Sequence, residues 1–157
     1  MAGFYCSLQL VFWEFDGTRS QRAIELLSAC ESAGIGARIS NEIEREIWEK
    51  FVFLVGLSAT TTTIRQPIGA IRSNAQTRGF LLDVMRETVN VGRARGVVLP
   101  ENYADKRLEF CDSLPAEMTA SMYQDLLRGN RLELPWLSGS VAQLGEQMRY
   151  WSLGTRR

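Results

Sequence analysis

The chain has 157 residues, 45% of them hydrophobic and 23% charged, which suits one well-buried core or one domain joined to a fragment of another. Lysine plus arginine equal aspartate plus glutamate at 18 each, so no charge excess draws the chain to a polyanion such as DNA. Histidine is absent, which excludes Ser-His-Asp and Cys-His catalysis and the commonest metal ligand, and Cys6, Cys30 and Cys111 form no CxxC pair that could hold zinc.

Three scattered cysteines read as reduced, buried thiols of a cytosolic protein. The opening residues MAGFYCSLQLVFWEF lack the positive n-region of a signal peptide, so no export is expected. Ser7 to Phe15 is rich in β-formers and ends at the turn signal Asp16-Gly17, which predicts a strand. Thr18 or Ser20 then caps a helix through Ala33, with Ala23, Leu26, Leu27 and Cys30 at helical spacing and Gly34 as its stop. Ala37 to Ser40 is a second short extended segment. A strand, a helix and a strand make the trailing edge of an α/β sheet, too small to stand without the rest of the chain or a partner.

After Ser40 the pattern is helical. Asn41 is a capping residue with Glu44 three positions on, as in a capping box, and opens a helix through Thr63. On that helix Ile43, Ile47, Leu54 and Leu57 form one stripe, and Lys50 falls within it. Two readings of Lys50 follow. A lysine partly desolvated by an apolar stripe gives up its proton more easily than one in open water; alternatively its amine snorkels out to meet Glu46, four residues earlier. Pro67-Ile68-Gly69 breaks this helix. A second runs from about Ala75 to Arg95, burying Leu81, Val84, Met85, Thr88 and Val91, and Gly96 ends it. Pro100 starts a third, with Tyr103, Leu108, Phe110 and Cys111, which Pro115 closes. A fourth spans about Ala116 to Arg128, and Pro135 opens a last helix carrying Val141, Leu144, Met148 and Trp151. The uncharged run after Phe51 fades into Ser58 and a threonine tract, which suits core rather than a membrane span.

Gly34-Ile35-Gly36 resembles the start of a dinucleotide fingerprint, but it follows a helix and opens a strand, the reverse of the context that phosphate binding needs. It is a helix stop. Ser121 and Glu133 straddle the turn Gly129-Asn130, so their helices can bring a hydroxyl and a carboxylate toward one pocket, and Glu133 immediately precedes a predicted helix start. Read alone, Ser121 is a helix-face hydroxyl, Glu133 a cap-region charge and Asp125 a structural partner.

Several segments, in order and spacing, resemble the C-terminal helical domain of the ketopantoate reductases (2-dehydropantoate 2-reductases). They are Trp48-Glu49-Lys50-Phe51, Pro67-Ile68-Gly69, the helix end from Glu87 to Gly96, Ser121 to Asp125, and Leu132-Glu133-Leu134 followed by Ser138-Gly139. Phe12 to Ser20 similarly resembles the last strand and turn of that family's nucleotide-binding domain. The resemblance implies a mainly α fold, the helical domain of a 6-phosphogluconate dehydrogenase-like reductase at residues 41–157, preceded by a β-α-β remnant of a Rossmann-type domain at residues 1–40. It implies NADPH-dependent reduction of ketopantoate to pantoate, in the pathway to pantothenate and coenzyme A, with no metal. On it Lys50 is the general acid, Ser121 holds the substrate carboxylate, and Glu133 hydrogen-bonds the substrate hydroxyl.

Where the family usually has asparagines, four and eight residues after the lysine, this chain has Leu54 and Ser58, which leaves Ser58 as a substrate contact and alters the others. No residue here is assigned to the cofactor, because the glycine-rich loop is not found; the family's closing helix is not expected either, since Arg149 to Arg157 does not match its usual continuation. Both ends look cut. The expected protein is a cytoplasmic homodimer, inactive as this chain alone; the rival expectation is a non-enzymatic helical dimerisation or interaction module.

Overall fold

The computed structural model describes residues 9–14 and 17–148, and the chain divides into two compact units, residues 1–46 and 47–157. In the first unit, strands β1 (Leu10–Phe12) and β2 (Ala37–Ile39) pair in parallel, Leu10 with Ala37, Val11 with Arg38 and Phe12 with Ile39. A parallel pair needs a crossover, and helix α1 (Gln21–Ser32) supplies it. Its cap is Ser20, whose Oγ accepts from the Ala23 amide at 3.2 Å, and Gly34, at φ +71°, stops it just past the Ala33 cap. β1 is shorter than the predicted strand; Ser7, Leu8 and Phe15 lie outside the described residues. Of the predicted α1 stripe, Ala23 and Cys30 are buried while Leu26 is exposed, because two strands cover only a narrow face.

Helix α2 (Ile43–Ile64) starts in the first unit and continues into the second. Ahead of α2 it is Ser40 rather than Asn41 that bonds: its Oγ accepts from the Glu42 amide at 2.9 Å and donates to the Glu46 carboxylate, so the residue tied to the helix entry is Glu46 rather than Glu44. Arg38 also donates to Glu46, which ties β2 to the first turn of α2 and carries this unit past Ser40.

The second unit is helical throughout its described residues: the rest of α2, then α3 (Ile68–Ser73), α4 (Ala75–Ala94), α5 (Tyr103–Asp112), α6 (Ser121–Arg128) and α7 (Ser138–Gln147). Helix α4 is central and packs on α3, α5 and α7. The core gathers Val52 and Val55 of α2, Ile68 and Ile71 of α3, and Leu81 and Met85 of α4, all essentially without exposure.

Helix α2 turns a different face inward from the predicted one. Trp48, Val52, Val55, Gly56 and Ala59 are buried, whereas Ile47 is 58% exposed, Leu54 and Lys50 are exposed, and only Leu57 of the predicted stripe is fully buried. At about 100° per residue, Val52 and Val55 point roughly 200° and 140° away from Lys50, so the lysine sits across the helix from the core. The cause is Gly56, where a Cβ would lie 2.6 Å from Met85 Cγ: the helix puts its glycine against α4, and the aliphatic stripe turns outward.

Arg65 at φ +57° and Pro67 end α2; of the expected break Pro67-Ile68-Gly69 only Pro67 lies between helices, because Ile68 and Gly69 open α3, a helix the sequence reading did not expect. The fourth helix starts at Ser121 rather than near Ala116. The intervening backbone is committed elsewhere: the carbonyls of Met118 and Ala116 accept the Ile68 and Gly69 amides at 2.9 and 2.8 Å, filling the orphan donors at the start of α3. Likewise α7 begins at Ser138, because Pro135 lies in a turn closed by Glu133 O accepting from Trp136 and Leu137. Trp151 lies outside the described residues. No helix among the described residues is long and apolar enough to cross a membrane.

Candidate functional site

Lys50 stands on the solvent side of α2 with Ile47 three residues before it and Leu54 four after, both exposed. The expected desolvation by a buried stripe is therefore not found, and neither is the alternative ion pair: Glu46 is held by Arg38 and Ser40 instead. What the helix gives Lys50 is presentation, an amine between two exposed aliphatic side chains. Eight residues on, about 12 Å along the axis, Ser58 is buried at 3% exposure, so its hydroxyl is not presented to solvent.

Ser121 is the first residue of α6 and exposed. Its position is set from α2: the Ala120 amide donates to Thr61 Oγ1 at 3.4 Å, while that hydroxyl donates to Leu57 O at 2.7 Å. Tyr123 Oη donates to Arg65 O at 3.2 Å, anchoring the same turn to the end of α2. Ser58, one turn before Thr61, and Ser121 thus share one neighbourhood, whereas Lys50 sits toward the other end of the helix.

Glu133 is exposed and lies ahead of a turn rather than directly ahead of a helix, since α7 starts five residues later; its expected dipole support is absent. Asp125 is the structural partner expected: it accepts from Asn130 Nδ2 at 2.9 Å, and its carbonyl accepts the Asn130 amide at the same distance, closing α6 behind Gly129 at φ +72°.

Between α2, α4 and α7 lies a cavity of about 620 Å³. Val55 and Ala59 of α2, Phe80 and Val84 of α4, and Val141 of α7 make its walls. Met122, next to Ser121, lines it, as do Leu132 and Leu134 on either side of Glu133. Neither Ser121 nor Glu133 lines it, so the two side chains flank one cavity from outside instead of meeting within it. Sequence reading passed over Asp83 of its α4 wall, and named Glu87 and Ser138 only within segments of the resemblance; the hydroxyls of Thr62 and Ser138 are buried without a partner behind the wall. The available signal was the spacing of Val55, Ala59 and Thr62, which places small residues along two turns of one face.

Of the three cysteines, Cys30 and Cys111 are buried and Cys6 lies outside the described residues. Cys111 is fully buried, and burial pushes its thiol up to about 11, far from a usable thiolate. Arg72 donates to the carbonyls of Cys111, Asp112 and Leu114 and caps α5. Among the described residues no group of three or more Cys, Asp or Glu could hold a metal ion.

A dinucleotide does not fit the described β-α-β unit. Its pyrophosphate would need the N-terminus of α1, where Ser20 instead donates to Glu14 and Arg22 pairs with the same carboxylate. An anion already occupies that place in the form of a side chain, and Gly34 and Gly36 stand at the other end of the helix.

Comparison with known proteins agrees with the architecture. Residues 42–150 match the family model "Ketopantoate reductase PanE/ApbA C terminal". Among curated relatives, an uncharacterized oxidoreductase of Bacillus subtilis is 26% identical over 90% of this chain and 47% of its own length. The 2-dehydropantoate 2-reductases of Pyrobaculum aerophilum and Mesorhizobium japonicum are 28% and 30% identical over 78% and 84% of this chain. The chain spans 44% and 40% of those two proteins. Among solved structures, a dimeric ketopantoate reductase from Staphylococcus aureus superposes with a TM-score of 0.83 at 20% identity, covering 92% of this chain and 48% of that one. A D-mandelate dehydrogenase with NADH and anilino(oxo)acetate gives 0.80 at 16%, covering 92% and 61%. With more than half its residues matched by the family model, this chain belongs to the ketopantoate reductase family through that family's C-terminal domain.

Proposed function

We propose that this chain carries the substrate-binding half of a 2-dehydropantoate 2-reductase-like, NADPH-dependent oxidoreductase, which reduces ketopantoate to pantoate on the way to pantothenate and coenzyme A. The family match over residues 42–150 is the observation that carries this reading. The hydride donor belongs outside the described residues, which offer it no cradle, so the chain by itself does not turn over. A cytoplasmic homodimer accords with the reading, since one structural neighbour is dimeric.

The chain's own part is to bind and to supply a proton. Lys50, exposed and positively charged, donates a proton to the oxygen of the keto group as it becomes an alkoxide. Ser121 at the start of α6 holds the substrate carboxylate, where the helix N-terminus favours an anion. Glu133 accepts from the substrate hydroxyl, and Ser58 joins only if the α2 surface around it opens, because it is buried.

With a cofactor-binding half supplied in trans and NADPH present, Lys50→Ala should cut turnover by roughly two to four powers of ten and leave the melting profile unchanged. A lysine that merely supports the fold would do the reverse. Calorimetry of ketopantoate against the chain should show Glu133→Gln weakening binding roughly tenfold. Turnover by the isolated chain would overturn the division of labour.

A further inference from the structure

Ile47 and Leu54, expected to be core, face outward on α2, and Lys50 stands between them. On a helix the side chains that meet are those three and four residues apart, which for Lys50 are Glu46, Ile47, Phe53 and Leu54. The Glu46 carboxylate is already bonded to Arg38 and Ser40. Ile47 and Leu54 are 58% and 37% exposed, and Phe53 is half-buried with its ring edge-on to that of the exposed Phe110, the centroids 5.5 Å apart. A single exposed aliphatic side chain is ordinary, whereas several gathered around one cation are not. At 1.5 Å and 100° per residue, Ile47 lies about 4.5 Å before Lys50 along the axis and Leu54 about 6 Å after it, both turned roughly 40–60° to the same side. The two make an aliphatic ridge that runs past the amine without covering it.

We propose that Ile47 and Leu54 are specificity-determining residues: they receive alkyl branches on C3 of the substrate, so the site selects 2-keto acids with a branched, apolar C3 over unbranched ones. This rests on the reading of Lys50 as the group that meets the keto oxygen. In a 2-keto acid C3 is two bonds from that oxygen, so what C3 carries falls on the helix face beside the lysine stem, where the ridge is. Each methyl laid on the ridge removes hydrocarbon from water on both surfaces, while an unbranched acid leaves Ile47 and Leu54 wet. Neither side chain has a donor or acceptor, so the ridge does not orient the acid; it discriminates by apolar area alone, and orientation stays with the polar groups.

The test compares two acids that share the carboxylate and the keto group: 3,3-dimethyl-2-oxobutanoate, with three methyls on C3, and 2-oxopropanoate, whose C3 is a bare methyl. Both are titrated by NMR into the whole chain, labelled with carbon-13 in its isoleucine and leucine methyls. The branched acid should bind roughly fivefold tighter or more, and its methyl protons should show cross-relaxation to the Ile47 and Leu54 methyls. Ile47→Gln and Leu54→Gln, at exposed positions and with a good helix former, should each cut that ratio by about half or more in a chain whose circular dichroism is unchanged. Leu54→Met, which keeps the hydrocarbon, should keep the ratio. Lys50→Ala should weaken both acids alike. If Lys50→Ala weakens both but the ratio ignores Ile47→Gln and Leu54→Gln, the inference falls and the reading of Lys50 stands. If neither acid binds, or if binding is indifferent to Lys50→Ala, that reading falls and the inference with it. Methyl shifts at Ile47 and Leu54 that follow chain concentration and ignore both acids also overturn it, and mark the ridge as a contact between copies of the chain.

Discussion

The two units are held together in opposite ways. In the N-terminal one the buried positions among the described residues are Ala23, Cys30 and Ser40, while charged pairs, Glu14 with Arg22 and Arg38 with Glu46, join its strands to its helices. In the helical unit the charged pairs lie at the surface, and a continuous apolar cluster from Trp48 to Val141 does the work. Exposed ion pairs contribute about 0–1 kcal/mol each, whereas a fully buried aliphatic side chain contributes about 1.5–3 kcal/mol. The helical unit thus has the means to hold Ser121 and Glu133 rigidly, and the β-α-β unit is the part that acid and salt can loosen.

The sharpest way to break that contrast is to remove volume where the helical unit is densest. Leu81 is fully buried on α4 and faces the Gly56 surface of α2, so Leu81→Ala should destabilise this unit by about 2–5 kcal/mol in a denaturant titration. A loss under 1 kcal/mol would mean that the core is not the support described.

Next in size is Gly69→Ala. A Cβ there would lie 2.7 Å from Ala116 Cβ and 2.8 Å from Ala116 O, and backbone cannot swing aside as a side chain can. The substitution should cost about 1–3 kcal/mol and disturb the 116–120 loop that leads into Ser121. Asn74→Ala should cost about 1 kcal/mol, since Asn74 Oδ1 accepts from the amides of Gln76 and Thr77 at 2.9 and 3.2 Å at the start of α4.

Much of this was readable from local signals. Gly34, Pro67, Gly96 and Gly129 end helices near where composition says they should, and of the α4 residues whose spacing predicts burial Leu81, Met85, Thr88 and Val91 are buried while Val84 is only half-buried. What sequence missed was set by partners far along the chain. The inward face of α2 follows from Gly56 meeting Met85, and nothing local tells a helix which glycine will be approached. The late start of α6 follows from carbonyls lent to α3, some fifty residues away. Lys50 was singled out by its place in an apolar stripe, but that stripe faces solvent, so the local reason falls and the proposed role of Lys50 rests on the resemblance. The cavity was illegible because its walls, Val55 and Ala59 of α2, Val84 of α4 and Val141 of α7, come from helices remote in sequence and look there like ordinary core residues.

The smallest expected effect is the one that isolates the N-terminal unit. Arg22 and Ser20 beside Glu14 hold its carboxyl down at about 2, against an ordinary 4.5, and Arg38 holds Glu46 below the ordinary range as well. A carboxylate whose folded value is depressed binds its proton more weakly folded than unfolded. Its contribution is therefore complete above pH 4.5 and is lost as pH falls toward 2. Carboxyl carbon NMR should find Glu14 titrating near 2 and Arg22→Ala returning it toward 4.5, with Arg38→Ala doing the same for Glu46. Over the same window strand pairing at Leu10–Phe12 should weaken while the helices from Ile68 onward keep their protection, because the core around Ile68, Leu81 and Met85 contains no group that titrates there. If Glu14 titrates at its ordinary value, or if both units loosen together, charge is not what distinguishes them, and the β-α-β unit must draw its stability from the same source as the helices.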